Sequence, residues 1–172
     1  YLQFDLGGGS IELVWVKDRK IKKSISLPFG AVTLTEKFAS QDRISSDGRE
    51  EMLDWLEKQW KDLEWLKEAK GLPVIGTGGT ARNIAKMDQK RKKYPFYKIH
   101  NYPVDDSSIF GIWDDLSKTD LDERKKWPGL SEGRLDLILA GAGIVYSLLD
   151  YLHSPCLIAS GSGIREGLFF EY

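Results

Sequence analysis

The run Asp5-Leu6-Gly7-Gly8-Gly9-Ser10-Ile11-Glu12 holds the residue types best suited to chemistry in this chain. Three consecutive glycines between two expected strands cost conformational entropy that a plain turn does not require. They provide close backbone approach and positive φ, so that several N–H groups point into one space. Such a nest binds phosphate oxygens without a lysine, and the Ser10 hydroxyl adds a donor. Asp5 and Glu12 bracket the nest. A carboxylate at a strand end beside bound phosphate can hold Mg²⁺ or its waters, because hard cations prefer oxygen ligands. A second carboxylate can orient or deprotonate an attacking water. The bland alternative is an ornate turn with two solvated acids.

Two more glycine turns stand downstream. Gly76-Thr77-Gly78-Gly79-Thr80 joins an expected strand end to a helix start, where the first N–H groups lack partners and attract anions. Thr80 can equally serve as a plain N-cap. Ser160-Gly161-Ser162-Gly163 leads into Ile164-Arg165-Glu166-Gly167. Arg165 suits bidentate phosphate contact, or equally a surface pair with Glu166 or Glu171. The chain lacks G-x-x-x-x-G-K-[ST], and Gly7–Ser10 does not satisfy G-x-G-x-x-G, which argues against P-loop and Rossmann chemistry. His100 and His153 are the only histidines and neither has a second at metal-ligand spacing. His153 reads as a helix-terminal cap, and Cys156 as a buried, inert thiol.

The elements that must position these groups follow from periodicity. Residues 1–27 read as a three-stranded meander, apolar at Leu2, Phe4 and Leu6, then Ile11, Leu13 and Trp15, then Ile21, Ile25 and Leu27. A short helix is expected over 33–39. Ser45 or Ser46 caps a long one in which Met52, Leu53, Leu56, Trp60, Leu63 and Leu66 recur near every 3.6 residues. Trp55 and Trp65 fall off that face and are open to packing against a neighbouring lobe or subunit, with core packing the favoured role for the set. A strand over 72–75, a helix over 81–87 and a polar loop over 88–101 follow. Next come a helix over 104–116 capped at Asp105 or Asp106, a long helix over 131–152, a strand over 157–159 and a helix over 164–170. Strands alternating with helices after a meander imply one α/β domain with helices packed on a mixed sheet.

Composition narrows the classes. In 172 residues, 25 Lys plus Arg oppose 26 Asp plus Glu, for a net charge of −1. A partner such as nucleic acid or an anionic membrane would call for a basic excess, so neither is expected. The local basic run Lys86, Lys90, Arg91, Lys92, Lys93 and Lys98, interleaved with Tyr94, Phe96 and Tyr97, reads chiefly as a solvated loop. The hairpin residues Lys17, Arg19, Lys20, Lys22 and Lys23 read the same way. One cysteine excludes an intramolecular disulfide and a four-thiolate zinc site, and fits a reducing, cytoplasmic compartment. The longest apolar run, 137–146, is short of the ~20 residues a spanning helix needs, and no secretory signal is expected. The chain opens inside an expected strand with no Met before Met52, which reads as a piece of a longer protein.

Together these motifs resemble the exopolyphosphatase/guanosine pentaphosphate phosphatase family of the actin-like ATPase superfamily. Asp5–Glu12 resembles that family's second phosphate motif, D-[IL]-G-G-G-S-x-E. Ser26-Leu27-Pro28-Phe29-Gly30-Ala31-Val32 is similar to its strand-to-helix segment, and Gly76–Thr80 to its nucleotide-side glycine loop. Pro128-Gly129-Leu130 with Arg134, and Gly161–Gly167 followed by Phe169 to Tyr172, match its C-terminal half in order. The resemblance implies a ribonuclease H-like, actin-like fold and Mg²⁺-dependent hydrolysis of terminal phosphoanhydride bonds in polyphosphate or guanosine pentaphosphate. It implies that 1–172 is the second of two lobes, inactive alone, with a catalytic base in a first lobe upstream, and it suggests a homodimer. Carried over, Asp5 and Gly7 contact metal and phosphate, Glu12 positions the water, Gly76–Thr80 line the cleft and Arg165 contacts phosphate. A guanosine tetraphosphate sensor without turnover and another actin-fold ATPase remain the alternatives.

Overall fold

A computed structural model describes residues 1–39 and 43–171, with the side chains of Ile164, Arg165, Phe170 and Glu171 outside that description. The meander forms as expected. Strands β1 (Leu2–Leu6) and β2 (Ile11–Lys17) bury alternate residues, Leu2, Phe4 and Leu6 on β1 and Ile11, Leu13 and Trp15 on β2, whereas on the edge strand β3 (Lys20–Leu27) Ile25 and Leu27 are half-buried and Ile21 is exposed. Helices α1 (Ala31–Phe38) and α2 (Ser46–Lys61) follow, the latter capped by Ser45, whose Oγ accepts from the Gly48 N–H at 3.0 Å. Strand β4 (Val74–Thr77) passes directly into α3 (Gly78–Arg91). Beyond it lie β5 (Tyr102–Asp105), α4 (Asp106–Ser117), α5 (Leu121–Arg124), α6 (Ile138–Leu152), β6 (Cys156–Ala159) and α7 (Ile164–Glu171).

The six strands make one mixed sheet in the order β3-β2-β1-β4-β6-β5. β1, β4 and β6 are mutually parallel, while β2, β3 and β5 run against their neighbours. Helix α6 is apolar almost all round and touches α1, α2, α3 and α4, as a helix central to its layer must be. Gly143 lets Met52 and Trp113 close on α6, since a Cβ there would lie 2.3 and 2.8 Å from them. Trp60 donates its indole N–H to Ser147 Oγ at 3.0 Å inside this core.

Three expectations change. The segment read as a helix from 104 begins with a strand, β5, whose Tyr102 and Val104 are buried while Pro103 faces out. An edge strand tolerates proline because one row of its N–H groups is unpaired in any case. Asp105 then caps α4, accepting from the Ser108 N–H at 2.7 Å. Helix α3 continues to Arg91, so part of the expected loop is helical. The expected helix over 131–152 is a 3-10 turn (Glu132–Arg134) before α6, which starts only at Ile138. Trp55 and Trp65 pack within the domain, the favoured reading: Trp55 meets Phe29 edge-on at 4.9 Å with Lys37 over its ring, and Trp65 lies half-buried on the core.

Candidate functional site

Because β1, β4 and β6 are parallel, their carboxyl ends lie along one edge of the sheet, and all three glycine segments follow those ends. Open α/β sheets place ligand sites at this edge.

At the first turn, the carbonyls of Gly7 and Gly8 accept from the N–H groups of Ala31 (3.0 Å), Val32 (2.8 Å) and Thr33 (3.3 Å). The start of α1 is thereby occupied, and the peptide planes of the turn are fixed with their carbonyls toward it. Gly7 N–H donates to Ser10 O at 3.0 Å, while the N–H groups of Gly8, Gly9 and Ser10 have no protein acceptor among the described residues. Glycine is needed for space: a Cβ on Gly30 would sit 2.6 Å from both Gly7 O and Gly8 O, and one on Gly8 2.9 Å from Val32. The positive φ expected for the triple glycine is absent, since only Gly71, Gly78 and Gly129 adopt it among the glycines.

The second segment is a strand running into a helix instead of a loop. Gly78 takes φ +91°, and a Cβ there would meet Leu6 O at 2.8 Å and Asp5 Oδ1 at 3.0 Å. This glycine lets the start of α3 close on the end of β1. The N-cap Thr77 makes no side-chain cap, and the N–H groups of Gly78, Gly79 and Thr80 have no protein acceptor among the described residues. An open helix N-terminus concentrates positive potential. The side chains, or Cβ positions, of three expected phosphate contacts point away from this edge. Gly76 is buried, its Cβ position 2.6 Å from Leu157 and Phe4, and its carbonyl accepts from Ser160 N–H. Thr77 donates its hydroxyl to Phe4 O at 3.0 Å, and Thr80 is buried against Gly141 of α6. Only the backbone of Thr80 faces the edge.

Asp5 and Glu12 are direct partners in the β1–β2 ladder, and Asp5 also pairs with Thr77 across β4. Both are half-buried. Ser26, next in the row on β3, donates to Glu12 Oε1 at 2.8 Å. Like charges facing across neighbouring strands are destabilising, a conflict that a cation between them relieves. No group of three His, Cys, Asp or Glu gathers among the described residues. Two carboxylates nevertheless suit Mg²⁺, which takes one or two from protein and completes its shell with water and substrate phosphate.

The third turn differs. Gly161 N–H donates to His100 Nδ1 (3.3 Å), Ser162 N–H to Ser160 Oγ (3.2 Å) and Gly163 N–H to Glu166 Oε2 (2.6 Å). Every N–H in it has a protein acceptor. Arg165 sits in the first turn of α7, but its side chain lies outside the described residues.

One further cation, Arg134, flanks the site, and the sequence marks it only as part of the Pro128-Gly129-Leu130 motif. A Cβ on Gly79 would lie 2.4 Å from Arg134 Nη2 and 2.5 Å from Cζ, so the guanidinium rests flat on the first turn of α3. Arg134 is half-buried and forms no ion pair among the described residues. A guanidinium against the positive end of a helix is unfavourable until an anion joins them. By contrast, two members of the basic run are engaged elsewhere, Arg91 with Asp115 and Lys92 with Asp88 and Asp105. His153 caps α6 in the left-handed conformation, as expected. Cys156 is half-buried, and burial with Asp105 and Asp106 nearby pushes its thiol up, away from the reactive thiolate.

The model of the Ppx/GppA phosphatase family matches residues 1–172. A bifunctional 3-dehydroquinate synthase/phosphatase of Fusobacterium nucleatum is 31% identical over 174 residues, which covers 99% of this chain and 26% of that protein. Exopolyphosphatase 1 of Mycobacterium leprae is 24% identical over 172 residues, 99% of this chain and 50% of that protein. The solved Aquifex aeolicus PPX-GPPA enzyme superposes with a TM-score of 0.86 at 31% identity, covering 99% of this chain and 56% of that one. The chain therefore spans half the length or less of these curated relatives. With every residue matched and the sheet superposed, the actin-like, ribonuclease H-like class stands, and the chain belongs to the Ppx/GppA phosphatase family.

Proposed function

We propose that this chain is one lobe of a phosphohydrolase that removes the terminal phosphate of inorganic polyphosphate, guanosine pentaphosphate or both. The observation that carries the reading is the convergence of two sets of unpartnered N–H groups, Gly8–Ser10 and Gly78–Thr80, beside Asp5, Glu12 and Arg134. Family membership and the exopolyphosphatase name of one relative agree with it.

Phosphoryl transfer asks a protein mainly for positioning and charge neutralisation. The N–H groups of both turns bind the equatorial oxygens of the terminal phosphate, preorganised because the Gly7 and Gly8 carbonyls are already engaged by α1. Arg134 contributes a planar pair of donors to the same oxygens. Glu12, steadied by Ser26, accepts a hydrogen bond from the attacking water and aligns it. The new bond forms between water oxygen and terminal phosphorus as the bridging P–O bond breaks; the water's proton passes to the base of the first lobe, and the shortened phosphate chain departs with the electron pair of the broken bond. Asp5 and Glu12 would hold Mg²⁺, which supplies Lewis-acid neutralisation of phosphate charge when bound.

Two parts of the reading rest on the chain's coverage of about half of its relatives, a first lobe that supplies the remaining groups and inactivity of this lobe alone; assembly as a homodimer rests on the family resemblance. A cytoplasmic setting is part of the same proposal, supported by the single cysteine; among the described residues no helix is long and apolar enough to cross a membrane. The test is Mg²⁺-dependent phosphate release by the full-length protein from both substrates, wild type against Glu12→Ala. A loss of about 100-fold is expected. No release from either substrate, with guanosine tetraphosphate binding intact, would replace the hydrolase with a sensor.

A further inference from the structure

Asn83 lies in the second turn of α3 and is buried. Mid-helix asparagine is unfavourable, because its side chain competes for backbone groups. Here the side chain bridges two segments. Its Nδ2 donates to Gly79 O at 2.8 Å, and its Oδ1 accepts from the Ser131 N–H at 2.9 Å. The segment that carries Arg134 is thus tied to the turn over which Arg134 rests.

The contact is one of three in register. Gly129 takes φ +91° and lies so close to α3 that a Cβ would meet Lys86 O at 2.7 Å and Met87 N at 2.9 Å. Residues 129–134 therefore meet α3 at Lys86–Met87, then Asn83, then Gly79, ascending one helical face toward its open end. Behind the strap, buried Arg124 donates to Leu135 O at 3.3 Å and to Thr119 O at 2.8 Å. Asn83 bonds the first turn of α3 with one end of its amide and the strap with the other.

We infer that Asn83 is a positioning residue for the anion site, holding the Arg134 guanidinium over Gly79 by clasping Gly79 O and Ser131 N–H together. This rests on the reading that Arg134 meets substrate phosphate. A packing role alone would lower stability without depending on Arg134. A positioning role disappears once Arg134 is gone.

The test is a double-mutant cycle in the full-length protein with Asn83→Ala, Arg134→Ala and both, read as kcat/KM for phosphate release and as Kd for tripolyphosphate. Asn83→Ala is expected to lose roughly tenfold in kcat/KM, a large part of what Arg134→Ala loses, and about twofold or less when Arg134 is already alanine. Equal fold-losses in both backgrounds overturn the assignment, as does an unchanged Asn83→Ala enzyme. Should Asn83→Ala not fold, Ser131→Pro removes the same N–H at a φ of −83° that proline nearly matches, and takes its place in the cycle. Binding of tripolyphosphate without any hydrolysis rejects the proposed activity while the Kd cycle still decides the role of Asn83. A wild-type protein that binds no tripolyphosphate overturns both.

Discussion

The first and third glycine turns are alike in composition and unlike in hydrogen bonding. Gly7–Ser10 turns its carbonyls onto α1 and leaves three N–H groups open, and the start of α3 beside it is open as well. Gly161–Gly163, at the same edge of the sheet, has each N–H matched to His100, Ser160 or Glu166. Glycine permits a nest, but the accounting of donors decides whether a ligand is required to complete it. By that measure the proposed phosphate site centres on β1 and β4, and the β6 turn closes its own donors.

The strongest way to break this comparison is Gly78→Ala, which strains a positive φ and drives a Cβ into Leu6 O and Asp5 Oδ1. Loss of about 100-fold or more in phosphate release by the full-length protein is expected, the scale of losing oxyanion donors. Next is Arg134→Ala, expected to weaken tripolyphosphate binding by roughly 2 kcal/mol, the worth of a charged hydrogen bond; isothermal titration would read it. Glu166→Ala frees a donor in the third turn and should change turnover little, while costing about 1 kcal/mol at the α7 cap, visible as a lower melting temperature. A turnover loss as large as that of Gly78→Ala would make the third turn part of the site and end the distinction.

The smallest effect probes the closed end of α3. Lys92 and the hydroxyl and N–H donors of Ser107 and Ser108 hold the Asp105 carboxyl well below the usual carboxylate range. Because the folded value is depressed, this stabilisation is complete above about pH 4, near the unfolded value, and is lost as pH falls below it. Asp105 is nearly half exposed, so the gain is screened and modest. Asp105→Asn should narrow the difference in urea midpoint between pH 6 and pH 3.

Much of this was legible in the residues. The alternation in β1 and β2, the Ser45 cap and the bracketed glycines of Asp5–Glu12 are local signals that the fold bears out, while the apolar Ile21 of β3 stays exposed at the sheet edge. What escaped depends on contacts between distant segments. Val104 and Ile109 suit a helix face, yet Tyr102 and Val104 are drawn into a strand by pairing with β6. Thr77 and Thr80 look like phosphate ligands until Phe4 O and Gly141 claim their side chains. Arg134 lies far from Gly79 along the chain, and only the folded strap brings them together.

The way Gly7 and Gly8 meet α1 also bears on how the site comes into being. That half joins residues close in sequence, a hairpin and the helix that follows it, so it forms with little loop to close. The other half needs β1 to find β4, pairing Phe4 with Gly76 across most of the first half of the chain. Refolding should therefore assemble the triple-glycine turn early and acquire affinity for anions only when the parallel pair docks.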